Sequence, residues 1–393
     1  MKKILFLPLL QMQSGHHQVA EALMDLLKKH TGHLILKKVD LLSYTNKSLE
    51  KMISNGYLNW IRYAPETYNL AYKSFFYMPD TKKQSFNWYQ PLFLKKMEQL
   101  LLEEKPDLLV CTHGFPSRLL SILKKKGKCS IPVINVYTDF FVNSVWGKEG
   151  IDAHFVPSQQ VKKMLVERFH IPKHRIIVTG IPVHEEITKS SKTYQLPEER
   201  PKLLIAGGNS GLGGIGKQLE ELKNSSGLDF FVLCGKNKKL YEEIRSWNLE
   251  HITPLSYLSS RSAMNELYEE VDAILTKPGG VTVSETLHKR LPIFVHSMLP
   301  GQEKINWRFL KEHKLAFVLD QNSSIEQQLL MVLNDRQQMK EWEKAIDSYQ
   351  QGMELTSKET LIEAILEVVN RQPKSVLAGA ALSSAVLHAS GAQ

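Results

Sequence analysis

Cysteine is scarce in this chain, three in 393 residues. Cys111, Cys129 and Cys234 are widely spaced, odd in number and in no metal-ligand pattern. That excludes a disulfide framework and a zinc cluster, and points to reduced thiols in a cytosolic protein. Long hydrophobic runs are missing as well: no stretch approaches the ~20 apolar residues that cross a bilayer. The N-terminal MKKILFLPLL has the look of a signal peptide, but its apolar run is short. Gln11, Gln13, Gly15 and His16 stand where a small-residue cleavage site belongs. It reads instead as a buried first strand. Acidic residues are thin in the first half. Residues 1–190 carry 27 Lys/Arg against 16 Asp/Glu, a net of +11, while the remainder carries 23 against 25. The chain's excess of +9 therefore belongs to the N-terminal half. Such a field suits an anionic partner, whether nucleic acid, an acidic lipid surface or a phosphorylated substrate.

What is present is an ordinary soluble composition, 42% hydrophobic and 23% charged, on a chain long enough for two domains. Short apolar runs alternate with helical patterns. ILFLPLL precedes HQVAEALMDLLKKH, in which Val19, Ala20, Leu23, Leu26 and Leu27 share one helical face. LILKKVDLL, DLLVCTH, VINVYTDF, AHFVPS and IIVTG follow as strands. After a polar stretch near residue 190 the pattern restarts with KLLIAGG, DFFVLCG, ITPLSY, AILTK, PIFVH and AFVLD. Repeated βα units predict α/β domains with parallel sheets. The expected organisation is a Rossmann-like domain over 1–188, a linker over 189–201 and a second such domain over 202–355. A C-terminal helix over 356–372 should pack back on the first domain, followed by a tail, 373–393, with no assigned role. Ligands of such sheets bind beyond the carboxyl ends of the strands, so the two sites should face each other across a cleft.

Several turns carry chemistry. In KLLIAGGNSGLGGIGKQ, Gly211, Gly213 and Gly216 spell a dinucleotide fingerprint, but the next strand ends in Cys234, Gly235 and Lys236, where a ribose-binding acid is required. A Walker-type loop fails at Gln218, where Ser or Thr must bind magnesium. What survives is a glycine turn whose backbone N–H groups can approach a phosphate. In KPGGVTVSE a strand meets a tight turn and then a helix, with Thr282 and Ser284 as candidate caps and Glu285 in the first turn. A carboxylate there can accept both hydroxyls of a ribose. PGQEKIN then places Gln302, Glu303 and Asn306 at a second helix start, offering amide and carboxylate groups to sugar hydroxyls. At the other end, Gly15 and His16 fall at the carboxyl edge of the first strand, where a neutral imidazole can take a proton from an acceptor hydroxyl; the alternative is that His16 or His17 caps the helix. Asp139, at the end of VYTDF, could orient that base or contact the acceptor. Between Tyr57 and Phe93 lie 12 of the chain's 34 aromatic residues, interleaved with lysines. That mixture suits a membrane interface or stacked bases, and buried helix packing accounts for part of it.

Together these motifs resemble the monogalactosyldiacylglycerol synthase and processive diacylglycerol glucosyltransferase family, relatives of the peptidoglycan enzyme that glycosylates lipid I. The resemblance runs from about residue 3 to about 365 through SGHHQVAEAL, NVYTDF, VTGIPV, IAGGNSGLGG, VLCGKN, TKPGGVTVSE and PGQEKIN. It implies the GT-B fold and inverting transfer of a hexose, glucose being favoured, from a UDP-sugar to a lipid hydroxyl such as that of diacylglycerol. By position it implies His16 as base; Asp139, at its strand end, is the second candidate catalytic residue. Donor contacts are implied by position at Gly207, Gly208, Gly211, Glu285, Gly301, Gln302, Glu303 and Asn306, and Gly15, Tyr257, Lys277, Gly279, Gly280, Thr282 and Pro300 are further candidates beside them. The family's partners are a UDP-sugar, a lipid acceptor and an anionic membrane surface, with no nucleic acid, which implies a cytoplasmic protein on the inner face of the cell membrane. No Asp-x-Asp occurs, which fits a reaction without metal or other cofactor. A UDP-N-acetylglucosamine 2-epimerase, which shares the fold, and a non-catalytic UDP-sugar binder are the competing readings.

Overall fold

The computed structural model describes residues 1–9, 14–45, 90–195, 199–207, 220–298, 301–320 and 323–370. Most of the aromatic, basic stretch from Tyr57 to Phe93, as well as Gly208, Gly211, Pro300 and the tail, lies outside the described residues. In the first domain the strands are β1 (Lys2–Leu7), β2 (Leu34–Lys38), β3 (Leu108–Cys111), β4 (Val133–Val136), β5 (Ala153–Val156) and β6 (Ile176–Val178). They are parallel, in the order β2-β1-β3-β4-β5-β6. Helices α1 (Gly15–His30), α2 (Leu41–Thr45), α3 (Gln90–Glu104), α4 (Gly114–Lys125) and α5 (Gln159–Phe169) belong to it. The run Ile4–Leu7 is wholly buried, because helices cover both faces of a parallel sheet. On α1 the five apolar residues expected to share a face are all buried. LILKKVDLL is not one strand. Asp40 ends it and starts α2, its carbonyl receiving the Tyr44 N–H at 2.9 Å.

The second domain repeats the plan with β7 (Lys202–Ala206), β8 (Asp229–Leu233), β9 (Ile252–Leu255), β10 (Ala273–Thr276), β11 (Ile293–Val295) and β12 (Phe317–Val318). Its parallel order, β12-β11-β10-β7-β8-β9, is the doubly wound arrangement. Its helices are α6 (Lys238–Ser246), α7 (Arg261–Glu270), α8 (Gly280–Lys289), α9 (Gln302–Glu312) and α10 (Ile325–Asn334). Hydroxyl and amide side chains start most of them: Asn237, Ser260 and Ser324 each accept a first-turn backbone N–H.

The chain crosses between domains twice. On the first crossing, the polar stretch after residue 188 is bonded along the second domain rather than hanging free. Ser190 N–H donates to His288 O at 3.0 Å, and Tyr194 O–H to Leu333 O at 3.1 Å. The return runs through α11 (Arg336–Gln351) into α12 (Lys358–Asn370). Tyr349 O–H reaches Pro157 O at 3.1 Å, and Glu354 N–H reaches Val178 O at 2.7 Å. The Glu185 carboxylate then gathers Lys29 and His30 of α1 and Lys358 of α12 within 3.5 Å. Among the described residues no helix is long and apolar enough to cross a membrane.

At the seam between the two domains a close approach is made by glycine. A β-carbon on Gly280 would lie 2.0 Å from the Thr138 carbonyl oxygen, and one on Gly15 would lie 3.0 Å from Val281 Cγ2. Beside them Phe140 and Phe309 stack, centroids 4.9 Å apart and planes 10° from parallel. Gly280→Ala should therefore force the seam open at a backbone atom, costing about 1–3 kcal/mol. Gly279→Ala, which meets nothing within 4 Å, should change stability by less than about 0.5 kcal/mol. Urea unfolding of the two variants checks the pair; equal effects would show that the seam does not depend on the missing side chain.

Candidate active site

The carboxyl ends of both sheets meet at this seam. In the first domain, the turn into α1 and the ends of β3 and β4 deliver His16, His113 and Asp139. In the second, the ends of β7 and β10, which flank the point where the strand order reverses, deliver Gly207 and the KPGG turn. Open α/β sheets bind ligands at such reversals. His16, His113 and Asp139 keep partial solvent exposure while protein surrounds them, as expected of a cleft floor.

His16 does not cap α1. Ser14 stands at that position without a side-chain cap, and His17 is taken by Asp40, its Nε2 lying 2.9 Å from Oδ1. His16 Nδ1 lies 2.9 Å from the Thr112 carbonyl oxygen and 2.8 Å from Thr138 Oγ1. A carbonyl can only accept, so Nδ1 carries the hydrogen and Nε2 is left with the lone pair. Burial lowers the His16 pKa to about 4; the Thr112 bond opposes this and the neighbouring His17 adds to it. The ring is therefore neutral throughout the physiological range. His113 packs edge-on against it, centroids 4.6 Å apart, with its own Nδ1 accepting the Phe115 N–H that begins α4. Burial also holds His113 well below its usual value. His113 satisfies the same rule that singled out His16 and Asp139, a titratable residue just past a strand end, yet motif reading passed over it.

Asp139 does not orient His16, which Thr112 and Thr138 hold instead. Its Oδ1 accepts from Asn306 Nδ2 at 2.9 Å, while Asn306 Oδ1 accepts the Phe140 N–H at 2.9 Å. Asn306 is 1% exposed and commits both ends of its amide to the first domain, so the expectation that it contacts the donor sugar is corrected. Burial pushes the Asp139 pKa up; the Asn306 bond opposes the rise and the Glu303 carboxylate adds to it, leaving a value of about 6.

In the second domain α8 begins at Gly280 with Gly279 as its cap residue, so Thr282 and Ser284 are not caps and Glu285 lies in the second turn. Thr282 is partly exposed and its carbonyl accepts from Thr286 Oγ1. Ser284 Oγ is buried without a hydrogen-bond partner among the described residues. Glu285 Oε2 accepts from Tyr268 O–H at 3.0 Å, and Oε1 lies 3.9 Å from Arg261. Burial raises the Glu285 pKa, against Arg261 and Tyr268. Arg261 also approaches Glu21 of α1 at 3.9 Å, a cross-domain link that sequence reading missed. Lys277 precedes the turn, its carbonyl accepting the Gly279 N–H at 2.7 Å. Tyr257 follows β9, with Lys236 5.2 Å from its ring centre. Gly301, at φ 101°, adopts a backbone suited to glycine and starts α9, leaving Gln302 and Glu303 partly exposed in the first turn. Gly15 and Gly280 are consumed by the seam, so their smallness serves domain contact.

The sequence profile of the monogalactosyldiacylglycerol (MGDG) synthase family matches residues 16–183. An uncharacterized glycosyltransferase, YkoN, of Bacillus subtilis is 40% identical over 353 residues, covering 89% of this chain and 93% of its own length. The processive diacylglycerol beta-glucosyltransferase of Bacillus pumilus is 30% identical over 380 residues, covering 93% and 95%. Among solved structures, MurG of Acinetobacter baumannii superposes with a TM-score of 0.59 at 14% identity, over 93% of this chain and all of its own. The calicheamicin glycosyltransferase CalG4 gives 0.58 at 12%, over 94% and 99%. The two parallel sheets and these neighbours make the fold GT-B. With relatives of this identity and coverage, the chain belongs to the monogalactosyldiacylglycerol synthase family of glycosyltransferases.

Proposed function

We propose that this enzyme transfers glucose from UDP-glucose to the free hydroxyl of diacylglycerol, with inversion at the anomeric carbon. The observation that carries the reading is the Nδ1-protonated, neutral His16 at the cleft floor, held by Thr112 and Thr138 opposite the start of α8. Its Nε2 accepts the hydroxyl proton as the acceptor oxygen forms its bond to C1, and the bond from C1 to the β-phosphate oxygen breaks on the other face. UDP leaves with the electron pair. Backbone N–H groups at the start of α8 offset its charge, with no metal or other cofactor required. Glu285 accepts from the ribose hydroxyls, and Gln302 and Glu303 contact the hexose. Relatives named for diacylglycerol support the lipid acceptor, and the basic N-terminal half supplies attraction to an anionic membrane surface on the cytoplasmic side.

His16→Ala should lower glycolipid formation by about 10²–10⁴-fold while leaving UDP-glucose affinity within about twofold. Mass spectrometry of lipid products and calorimetry of donor binding test this, and undiminished transfer removes His16 as the base. Glu285→Ala should instead weaken donor binding by about tenfold or more, the scale of a lost charged hydrogen bond. Calorimetry giving an unchanged dissociation constant would remove the ribose contact. Epimerisation of free UDP-N-acetylglucosamine without lipid product would replace the reading altogether.

A further inference from the structure

Asn306 occupies an unusual position for a residue in a sugar-binding helix. It lies one turn beyond Gln302 on α9, so the two share a helix face and move together. Its side chain nevertheless faces the other domain. The orientation of the amide is set by chemistry: Phe140 N–H can only donate, so Oδ1 must face it, which turns Nδ2 to Asp139. The two bonds span 166 and 167 residues of sequence and fix both the backbone and the side chain at the end of β4. Asp139 Oδ1 is thereby engaged by the opposite domain.

We propose that Asn306 is a positioning residue that clasps Asp139 from the opposite domain, so that the carboxyl group is correctly placed on the acceptor side only while the donor domain is closed. The inference rests on the transferase reading above for its substrates. Asp139 Oδ2 then receives a hydrogen bond from the acceptor lipid's polar head. Glu303, also on α9, is the charged group facing Asp139 and favours its protonation; the Asn306 N–H favours its ionisation. Opening the cleft withdraws both, together with Gln302.

The test compares Asn306→Ala, Asn306→Asp and Asp139→Asn with the wild type by two measurements. The first is the pH dependence of kcat/KM with UDP-glucose and diacylglycerol in mixed micelles. The second is the carbon-13 titration of the Asp139 carboxyl in aspartate-labelled protein, assigned by its loss in Asp139→Asn. In the wild type both should report an ionisation near pH 6. Losing the N–H should move it upward by roughly 0.5–1 pH unit in Asn306→Ala. Asn306→Asp, which keeps the shape but sets two carboxylates face to face, should move it further. Asp139→Asn should abolish that limb of the profile, and UDP-glucose affinity should stay within about twofold in every variant. A titration that overlays the wild type in both Asn306 variants overturns the proposal. So does weakened donor binding with an unmoved titration, because Asn306 would then be a plain donor ligand. The carboxyl titration needs no turnover, so a wild type inactive on diacylglycerol would count against the transferase reading while the clasp is judged on its own.

Discussion

Everything in the cleft depends on one contact that has no side chain on one of its partners. The start of α8 comes so close to the Thr138 carbonyl that a single β-carbon at Gly280 would collide with it. Thr138 lies at the carboxyl end of β4, and its hydroxyl lies 2.8 Å from His16 Nδ1. One residue therefore touches both the seam between the domains and, together with the Thr112 carbonyl, the imidazole. Asp139 and Phe140, the next two residues, are gripped by Asn306. The end of β4 is thus the place where domain packing and site chemistry become the same geometry.

That geometry produces an inverted order of basicity. An exposed imidazole is ordinarily a stronger base than a carboxylate, but here burial acts on the two in opposite directions. It disfavours the positive form of His16 and the negative form of Asp139, bringing the first to about 4 and the second to about 6. Each group is poised by desolvation and then trimmed by a specific neighbour. The histidine is kept neutral without any carboxylate behind it, a backbone carbonyl doing the orienting that an aspartate does elsewhere.

The sequence made the two-domain βα architecture legible because fully buried parallel strands leave uninterrupted apolar runs such as Ile4–Leu7, whose meaning is local. His16 and Asp139 were legible as residues just past strand ends. Their partners were not. Asn306 and Asp139 are 167 residues apart, and nothing in PGQEKIN reveals that one amide turns to the other domain. Likewise the His16 acceptor at Thr112 is a main-chain oxygen, for which any residue type would serve. The start of α8 was misplaced for a related reason. Thr282 and Ser284 are good capping residues by type, but the close approach to Thr138 demands glycine at the true start, and that demand comes from the other domain.

The two crossings between domains have a mechanical meaning. The returning segment is tied to the end of β6: Gly180 lies beside Met353, and Glu354 is bonded to Val178 and paired with Lys162. A single linker would let one half swivel against the other in any direction. Two connections, the outgoing one bonded along the second domain and the returning one along the first, remove much of that freedom. Each half is thus stitched to the other at both ends of the second domain, and the chain that leaves the first half is also the chain that buttresses it.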